Sequence, residues 1–198
     1  MAVSPSTSHA WYPKADSYWV DPGQADEYPF RYGDVFATPD HPGCVTSKGQ
    51  RWPHVIVLHP SCEINAKLAD DTAVLVARVN RVQSLSKHQH AVVRVGWREE
   101  DLVTRVAHGN TFWLPPLPGQ EDDIDWYADF RRLVSVDLTS LAESGREACM
   151  THDARVYLIR REVYFKYRWN MTIDDAREFE RQRIAGDPNF VGPKPSWA

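Results

Sequence analysis

The stretch PHVIVLHP, residues 53–60, decides the fold class. Its aliphatic centre is uninterrupted and mostly β-branched, and a proline bounds it on each side, which is typical of a strand buried on both faces. A second run of the same kind, TAVLVARV, occupies residues 72–79. Further short strands are predicted at residues 32–37, 91–95, 111–114 and 133–138. Short strands separated by turn signals predict a mainly β fold, a small antiparallel barrel or sandwich.

The last third of the chain is predicted to be helical. Residues 154–169 carry apolar side chains at helical spacing after a candidate cap, Asp153, although their β-branched content leaves a strand as the alternative. A second helix is predicted over residues 172–186, with Thr172 in a capping-box position and Gly186 as the stop. The expected fold is therefore mainly β with one or two C-terminal helices, an α+β arrangement.

The chain of 198 residues has the length of one domain. Residues 1–28 are rich in proline and also hold Trp11 and Trp19, which predicts an arm that packs through its rings on the domain or on a partner chain. Residues 29–186 are expected to form the single domain, and the proline-containing residues 187–198 are expected to form a loose tail.

The charge balance narrows the function classes. The chain has 23 Lys plus Arg against 27 Asp plus Glu, a formal net charge of −4, which argues against bulk DNA binding. No apolar run reaches about 18 residues and no secretory signal opens the sequence, so we expect no membrane partner and a cytoplasmic location. The 3 cysteines do not describe a disulfide framework. Common nucleotide-binding, hydrolase and metalloprotease motifs are absent from the sequence.

The tetrapeptide His-Pro-x-Cys occurs twice. His41 and Cys44 form one pair and His59 and Cys62 the other, with 14 residues between them. Two such pairs can close a tetrahedral zinc site, since zinc accepts imidazole nitrogen and thiolate sulfur. The alternative is ordinary turn chemistry at strand ends, with Cys62 acting as a small apolar residue. No cofactor is expected apart from this zinc alternative.

A second constellation shares part of that pattern. His59, Cys62 and Glu63 place an imidazole, a thiol and a carboxylate within five residues at a strand end. A thiol nucleophile works with a neighbouring base, so these residues are a candidate catalytic set for a Cys/His-dependent enzyme. No oxyanion-binding motif accompanies them in the sequence.

One basic stretch stands out in this acidic chain. Residues 155–169 carry five Lys and Arg side chains against one acid, with aromatic rings interleaved. Positive charge attracts phosphates and rings stack on bases, so Arg160, Arg161, Tyr164 and Lys166 are candidate nucleic-acid contacts. The alternative is that the rings belong to the core and the basic side chains form a solvated face.

The order of several short motifs resembles that of the MazF/PemK toxin family. Tyr-Gly-Asp-Val at residues 32–35 is followed by Gly-x-Arg-x-Pro at residues 49–53, by the apolar strand at 55–58 and then by Asn65. A later strand and the helical end continue this order, so the similarity covers roughly residues 30–160.

The resemblance implies an SH3-like antiparallel barrel that forms a homodimer and cuts single-stranded RNA without a metal. It implies that the loop residue Arg51 stabilises charge at the scissile phosphate, a role that suits a guanidinium. Trp52, inserted between Arg51 and Pro53, or Tyr164 would stack on bases. The Thr or Ser that the family places after the next apolar strand is missing, and Ser84 follows late.

The favoured prediction is thus a single-stranded RNA-binding barrel, with RNA cleavage as a further prediction. Two alternatives stay open. One is the Cys/His-dependent enzyme or zinc site around His59, Cys62 and Glu63. The other is a non-enzymatic module that binds protein through Trp11 and Trp19, since aromatic anchors are favoured in interfaces.

Overall fold

The computed structural model describes residues 18–20, 30–59, 72–86, 93, 110–120 and 124–167. The strands are β1 (Trp19–Val20), β2 (Val35–Ala37), β3 (His54–Val57), β4 (Ala73–Arg81), β5 (Thr111–Leu114), β6 (Trp126–Asp137) and β7 (Arg146–Met150). The helices are α1 (Leu138–Ser144) and α2 (His152–Tyr167), and a 3-10 turn spans Val82–Ser84. The predicted helix over 172–186, the tail and nearly all of the predicted strand at 91–95 lie outside the described residues.

The strands form one sheet in which every neighbouring pair is antiparallel. Their order is β1-β7-β2-β3-β4-β6-β5. With two helices beside this sheet, the prediction of a mainly β, α+β fold is confirmed. In the part of the chain that is described, the backbone ladder stays open between β1 and β5, so no hydrogen-bonded strand pair closes a barrel there.

Side chains bridge the two edge strands that the backbone leaves apart. The Tyr18 hydroxyl donates a hydrogen bond to the Trp113 carbonyl oxygen at 3.1 Å, and Trp19 Nε1 donates to the Pro116 carbonyl oxygen at 2.9 Å. The rings of Tyr18 and Trp113 also meet edge to face, with centroids 5.4 Å apart. The aromatic residues at the end of the predicted arm thus pack against the strand at the far end of the sheet order.

Both faces of β3 are covered, which explains the uninterrupted apolar run in this part of the sequence. Val55 and Val57 belong to one buried cluster, together with Leu141 of α1. Ile56, between them, belongs to a second cluster that includes Ile159 of α2. Because successive side chains of a strand point to opposite faces, one strand contributes to two cores.

Helix α2 settles the choice between helix and strand for the segment predicted at 154–169. Its N-terminus is capped by Thr151 rather than Asp153, because the Thr151 hydroxyl accepts a hydrogen bond from Ala154 N at 3.2 Å. Ten of the eleven residues from 154 to 164 are buried, the exception being the half-buried Tyr157. Such a helix is a core element rather than an amphipathic surface element. Of the helices in the described ranges, none is both long and apolar enough to cross a membrane.

Strand β6 is bent by a register shift against β4. Ala77 pairs with Leu133, but the next β4 residue, Arg78, pairs with Asp129, so residues 130–132 have no partner on β4. We call residues 130–132 the β6 bulge. A bulge bends its strand and redirects its side chains, and here it separates the half of β6 that pairs with β5 from the half that leads into α1.

The acidic segment at residues 120–129 corrects one expectation. Its acidic composition predicts an exposed loop, but β6 begins at Trp126 and the carboxylates of Asp125 and Asp129 belong to buried residues. Local polarity predicts exposure, yet Asp129 is buried because Arg131 pairs with it. Helix α1 and β7 were not predicted either, although the Asp137 carboxylate caps α1 by accepting from Ser140 N at 2.7 Å.

Candidate functional site

A pocket of about 290 Å³ opens between a short hairpin and the β6 bulge. The hairpin covers residues 45–51, and its two ends meet in an isolated antiparallel bridge between Val45 and Arg51. A hydrogen bond from Thr46 N to the Gln50 oxygen at 2.7 Å closes the turn, and Gly49 supplies its positive φ of 74°. The lining residues are Gly43, Val45, Thr46, Ser47, Trp52, Arg78, Arg131, Arg132 and Leu133. We call this cavity the basic pocket.

Three arginines from two strands give the basic pocket its charge. Arg78 comes from β4, and Arg131 and Arg132 come from the β6 bulge. No acidic side chain is among the described residues that line the cavity. In a chain whose net charge is −4, three guanidinium groups around one small cavity form a local anion-attracting site.

Arg131 is held in place by a buried carboxylate. Its Nε lies 2.9 Å from Asp129 Oδ1 and its Nη2 lies 3.1 Å from Oδ2, a bidentate pair in which both nitrogens donate. The Asp129 side chain is 2% exposed, whereas that of Arg131 is 59% exposed. The hydrogen bonds that Arg131 donates to Asp129 raise the pKa of Arg131, so this guanidinium stays charged, and its side chain remains largely exposed.

Arg78 and Arg132 have guanidinium donors that are not used in hydrogen bonds to the described residues. Arg78 stacks over the ring of Trp52, with its guanidinium carbon 6.0 Å from the ring centroid. Its Nε is buried and has no hydrogen-bond partner among the described residues. Arg132 is exposed, and within the described part of the chain it makes no hydrogen bond or ion pair. Arg132 can therefore donate to a bound anion, and Arg78, which lines the pocket, can do so through its terminal nitrogens rather than its buried Nε.

The loop before the hairpin forms one wall of the pocket and packs closely against β6. A Cβ on Gly43 would lie 2.4 Å from Cγ2 of Val134, so only glycine fits between the loop and β6 at this point. Further along, Trp52 N donates to the Cys44 oxygen at 2.9 Å, which ties the two sides of the hairpin base together. The pocket thus has a preorganised backbone frame.

Arg51 and Trp52, the two loop residues singled out by the resemblance, have different surroundings. Trp52 lines the pocket, but it is 6% exposed and its ring faces Arg78. The Arg51 side chain is 56% exposed, and its Nη2 lies 3.4 Å from Asp40 Oδ1 and 3.4 Å from the Thr38 oxygen. Arg51 is thus an exposed arginine at the base of the hairpin, and it is not among the residues that line the pocket.

The basic residues of α2 do not form an open surface. Arg160 is 6% exposed, Arg161 4% and Tyr164 8%. Lys166 is exposed but pairs with Glu162, whose other carboxylate oxygen accepts a hydrogen bond from the Tyr32 hydroxyl. A phosphate backbone needs donors that it can reach, and the three buried side chains do not offer them.

The residues predicted for zinc are placed only in part. His41 Nδ1 accepts a hydrogen bond from Gly43 N at 3.1 Å, which is the turn chemistry of the alternative interpretation. Cys44 is 1% exposed, and burial raises the pKa of its thiol to about 11 even though the Arg51 charge acts in the opposite sense. Cys62 lies outside the described residues. Across the ranges that are described, no three His, Cys, Asp or Glu side chains form a group that could hold a metal ion.

The candidate catalytic set is likewise described only at one end. His59 ends the segment after β3 and is half-buried. Cys62 and Glu63 lie outside the described residues, so the Cys/His-dependent enzyme stays a prediction. Trp11, the other anchor of the protein-interaction alternative, also lies outside them, while Trp19 donates to Pro116 within the chain.

Two buried charge clusters lie apart from the pocket. Asp34 is fully buried between Arg31 and Arg146, at 3.3 Å and 3.1 Å. Burial raises the pKa of Asp34 and the two arginines oppose that rise. Their mutual pairing is that of a structural ion network.

The second cluster joins His54 on β3 to Glu147 on β7, with 2.7 Å between Nδ1 and Oε2. Burial, together with the Arg81 charge, lowers the pKa of His54 to about 4. Burial also raises the pKa of Glu147, so the surroundings favour the neutral form of each group.

Comparison with protein-family models finds no match for the chain, and searches of curated proteins and of solved structures find none either.

No sequence pattern singles out the pocket arginines. Arg78 is a lone charge in an apolar strand, and Arg131 and Arg132 are a short basic pair after an acidic segment. Each is an ordinary feature of a surface by itself. They meet because β4 and β6 pair with a register shift, which no local signal in the sequence encodes.

Proposed function

We propose that the chain binds single-stranded RNA and that the basic pocket holds the phosphate backbone. The observation that carries the proposal is the convergence of Arg78, Arg131 and Arg132 on one cavity of about 290 Å³. Phosphate contacts supply most of the affinity of nucleic-acid binding, and guanidinium groups suit phosphate because they donate in pairs.

The three arginines have distinct roles in this proposal. Arg131, oriented by Asp129, presents a fixed positive charge. Arg132 is free to close on a phosphate, since it has no partner among the described residues. Arg78, held against the ring of Trp52, adds its charge to the phosphate from the β4 side of the pocket.

A single strand suits the pocket better than a duplex. A cavity of about 290 Å³ is at the small end of ligand pockets. A flexible strand can place one unit at a time into such a concave site, whereas the phosphates of a rigid duplex lie on a convex surface. Single strands also expose the base faces that stacking requires.

Cleavage of the bound RNA is the second part of the proposal and rests on the family resemblance. Arg51 is exposed at the base of the hairpin, where a guanidinium can reach a phosphate. None of the described lining residues is a His, Asp or Glu, the side chains that most often serve as a general base. Binding and cleavage are therefore tested separately.

The binding test compares two arginines on one strand. Arg78→Gln removes a pocket arginine, and Arg81→Gln removes an exposed arginine three residues further along β4, which stacks on Trp126 and does not line the pocket. We expect Arg78→Gln and Arg132→Gln each to weaken binding of a labelled single-stranded RNA roughly tenfold in fluorescence anisotropy. Each should also reduce the slope of log affinity against log salt by about 0.7.

The control decides between a specific site and general charge attraction. Arg81→Gln should change affinity by less than about twofold, since exposed charges are screened at moderate salt. Equal losses for Arg78→Gln and Arg81→Gln would contradict a role for the pocket.

For cleavage, gel analysis of the RNA should show scission that Arg51→Ala abolishes while binding persists. Binding without scission would leave a binding protein only.

A further inference from the structure

The basic pocket also holds the large hydrophobic side chains that are exposed among the described residues. Val45 is 40% exposed and Leu133 is 37% exposed, and they are the two large hydrophobic side chains that are exposed in the described part of the chain. Both line the pocket. Single exposed aliphatic residues are common on protein surfaces. Two of them in one small cavity, beside three arginines, indicate a binding site.

The two side chains come from different elements. Val45 belongs to the hairpin, where it pairs with Arg51, and Leu133 follows the β6 bulge, where it pairs with Ala77. Gly43 packs directly against Val134, so the hairpin and this part of β6 are held beside each other. The apolar pair is thus fixed by the same backbone frame as the arginines.

This mixture constrains the chemistry of the ligand. A bare phosphate or sulfate satisfies the guanidinium groups but leaves Val45 and Leu133 in water. A ligand that joins a phosphate to a flat apolar body covers both, and burial of that apolar area adds affinity. A nucleotide has this construction, since its base carries an apolar face and its phosphate carries the charge.

We infer that the basic pocket takes one unstacked nucleotide of the RNA, with the base against Val45 and Leu133 and the phosphate on the arginines. This rests on the proposed function, because it assigns a subsite within the same pocket. Val45 and Leu133 offer no hydrogen bond to base edges, so the subsite discriminates by base area rather than by base identity. Purines, with the larger face, bind more tightly than pyrimidines there.

The test compares a normal RNA oligomer with an abasic oligomer of the same length, in which every base is removed and every phosphate is kept. We expect the abasic oligomer to bind the unmodified protein roughly fivefold more weakly. Leu133→Ser should remove most of that difference, since it removes the apolar contact. It should leave the salt dependence unchanged, because no phosphate contact is lost.

Arg132→Gln is the matched variant for the charge. It should weaken both oligomers by the same factor and keep the difference between them. Leu133 is exposed, so Leu133→Ser should fold; a urea unfolding curve checks this, and Val45→Ser provides a second variant with the same expected result.

The outcomes separate the inference from the proposed function. Equal binding of the normal and abasic oligomers, with Arg132→Gln weakening both, would overturn the base subsite and leave RNA binding standing. Failure of both oligomers to bind would overturn the proposed function and the subsite together. Binding of a phosphotyrosine peptide in place of RNA, lost in Arg132→Gln and Leu133→Ser, would assign the pocket to a protein partner instead.

Discussion

The dipeptide Arg-Arg occurs twice in this chain, and its two copies have opposite environments. Arg160 and Arg161 lie in α2 and are 6% and 4% exposed. Arg131 and Arg132 lie in the β6 bulge and are exposed. Before folding, the two pairs are chemically the same. The fold makes one pair part of the interior and the other part of a surface that can bind an anion.

The difference comes from the backbone that carries each pair. A helix packed on most sides directs even its charged side chains into the protein, where their stems cover apolar surface. A bulge frees residues from their strand partners, and residues 130–132 have no partner on β4. Of these three, Phe130 packs into the core, whereas Arg131 and Arg132 turn outward. The number of basic residues in a segment therefore indicates binding less well than the strand pairing and packing that decide whether those residues are exposed.

The largest expected effect separates the two pairs by stability. Arg161→Ala should lower the free energy of unfolding by about 2–4 kcal/mol, because it leaves a cavity and strands buried polar groups. Arg132→Ala should change it by less than about 0.5 kcal/mol, since its side chain is exposed. Urea denaturation measures both values. Similar losses for the two variants would remove the distinction between the pairs.

A pH effect is expected from the interior alone. Burial lowers the pKa of His54 to about 4, whereas an unfolded imidazole titrates near 6.5, so protonation favours the unfolded chain. Stability should therefore be complete above about pH 6.5 and fall by about 2 kcal/mol as the pH drops toward 4. Urea curves at several pH values, compared with His54→Gln, isolate this contribution.

If stability instead increased on acidification, the Glu147 carboxylate would be the neighbour that determines the pKa of His54. At 2.7 Å from Nδ1, an ionised Glu147 holds a proton on the imidazole. The folded-state pKa of His54 would then lie above 6.5, so stability would increase as the pH falls from that pKa to about 6.5 and would stay constant below it. Neither His54 nor Glu147 lines the pocket, so RNA affinity measured on folded protein should not follow the titration of His54.

A smaller effect on stability and RNA affinity is expected at Gly43, where the loop before the hairpin packs most closely against β6. Gly43→Ala places a methyl group 2.4 Å from Val134 Cγ2, so the hairpin has to move away from β6. We expect a loss of about 1–2 kcal/mol in unfolding free energy and a several-fold loss in RNA affinity. The double variant Gly43→Ala with Val134→Ala should recover much of both, because it removes the clash. Absence of recovery would mean that the contacts of the added methyl group with the His41 ring, at 3.1 and 3.2 Å, are enough to displace the loop.

The smallest change is expected at the boundary between pocket and core. Burial raises the pKa of the Cys44 thiol to about 11, so little thiolate exists at neutral pH. Alkylation at pH 7.5, followed by peptide mass spectrometry, should leave Cys44 unmodified in the native protein and modified after urea unfolding. Rapid native labelling of Cys44 would show that the hairpin opens, and the pocket with it.

The elements that the sequence predicts well are those with a strong local pattern. β3 and β5 are short, mostly apolar runs, β4 is apolar from Ala73 to Ala77, and α2 keeps apolar residues at helical spacing. β7 carries Arg146 and Glu147, two partly buried charged residues whose partners, Asp34 and His54, lie far earlier in the chain. Local patterns cannot report such pairing.

The candidate site was predictable only at one point. Trp52 stands in the Gly-x-Arg-x-Pro loop that carries the family resemblance, and it lines the pocket. Arg78, Arg131 and Arg132 could not be found, because the register shift that brings them together depends on how two strands align. The arginines of α2 misdirected the prediction for the same reason, since composition carries no information about burial.

The pairing of β1 with β7 bears on the order in which the chain can assemble during synthesis. Trp19 pairs with Met150, and Tyr18 and Trp19 also need the carbonyl groups of Trp113 and Pro116. β1 leaves the ribosome before β7 and therefore has to wait for it before it finds its place. Contacts between distant parts of a sequence form slowly, so the rings of Tyr18 and Trp19 are open to other proteins, chaperones among them, until β7 has been synthesised.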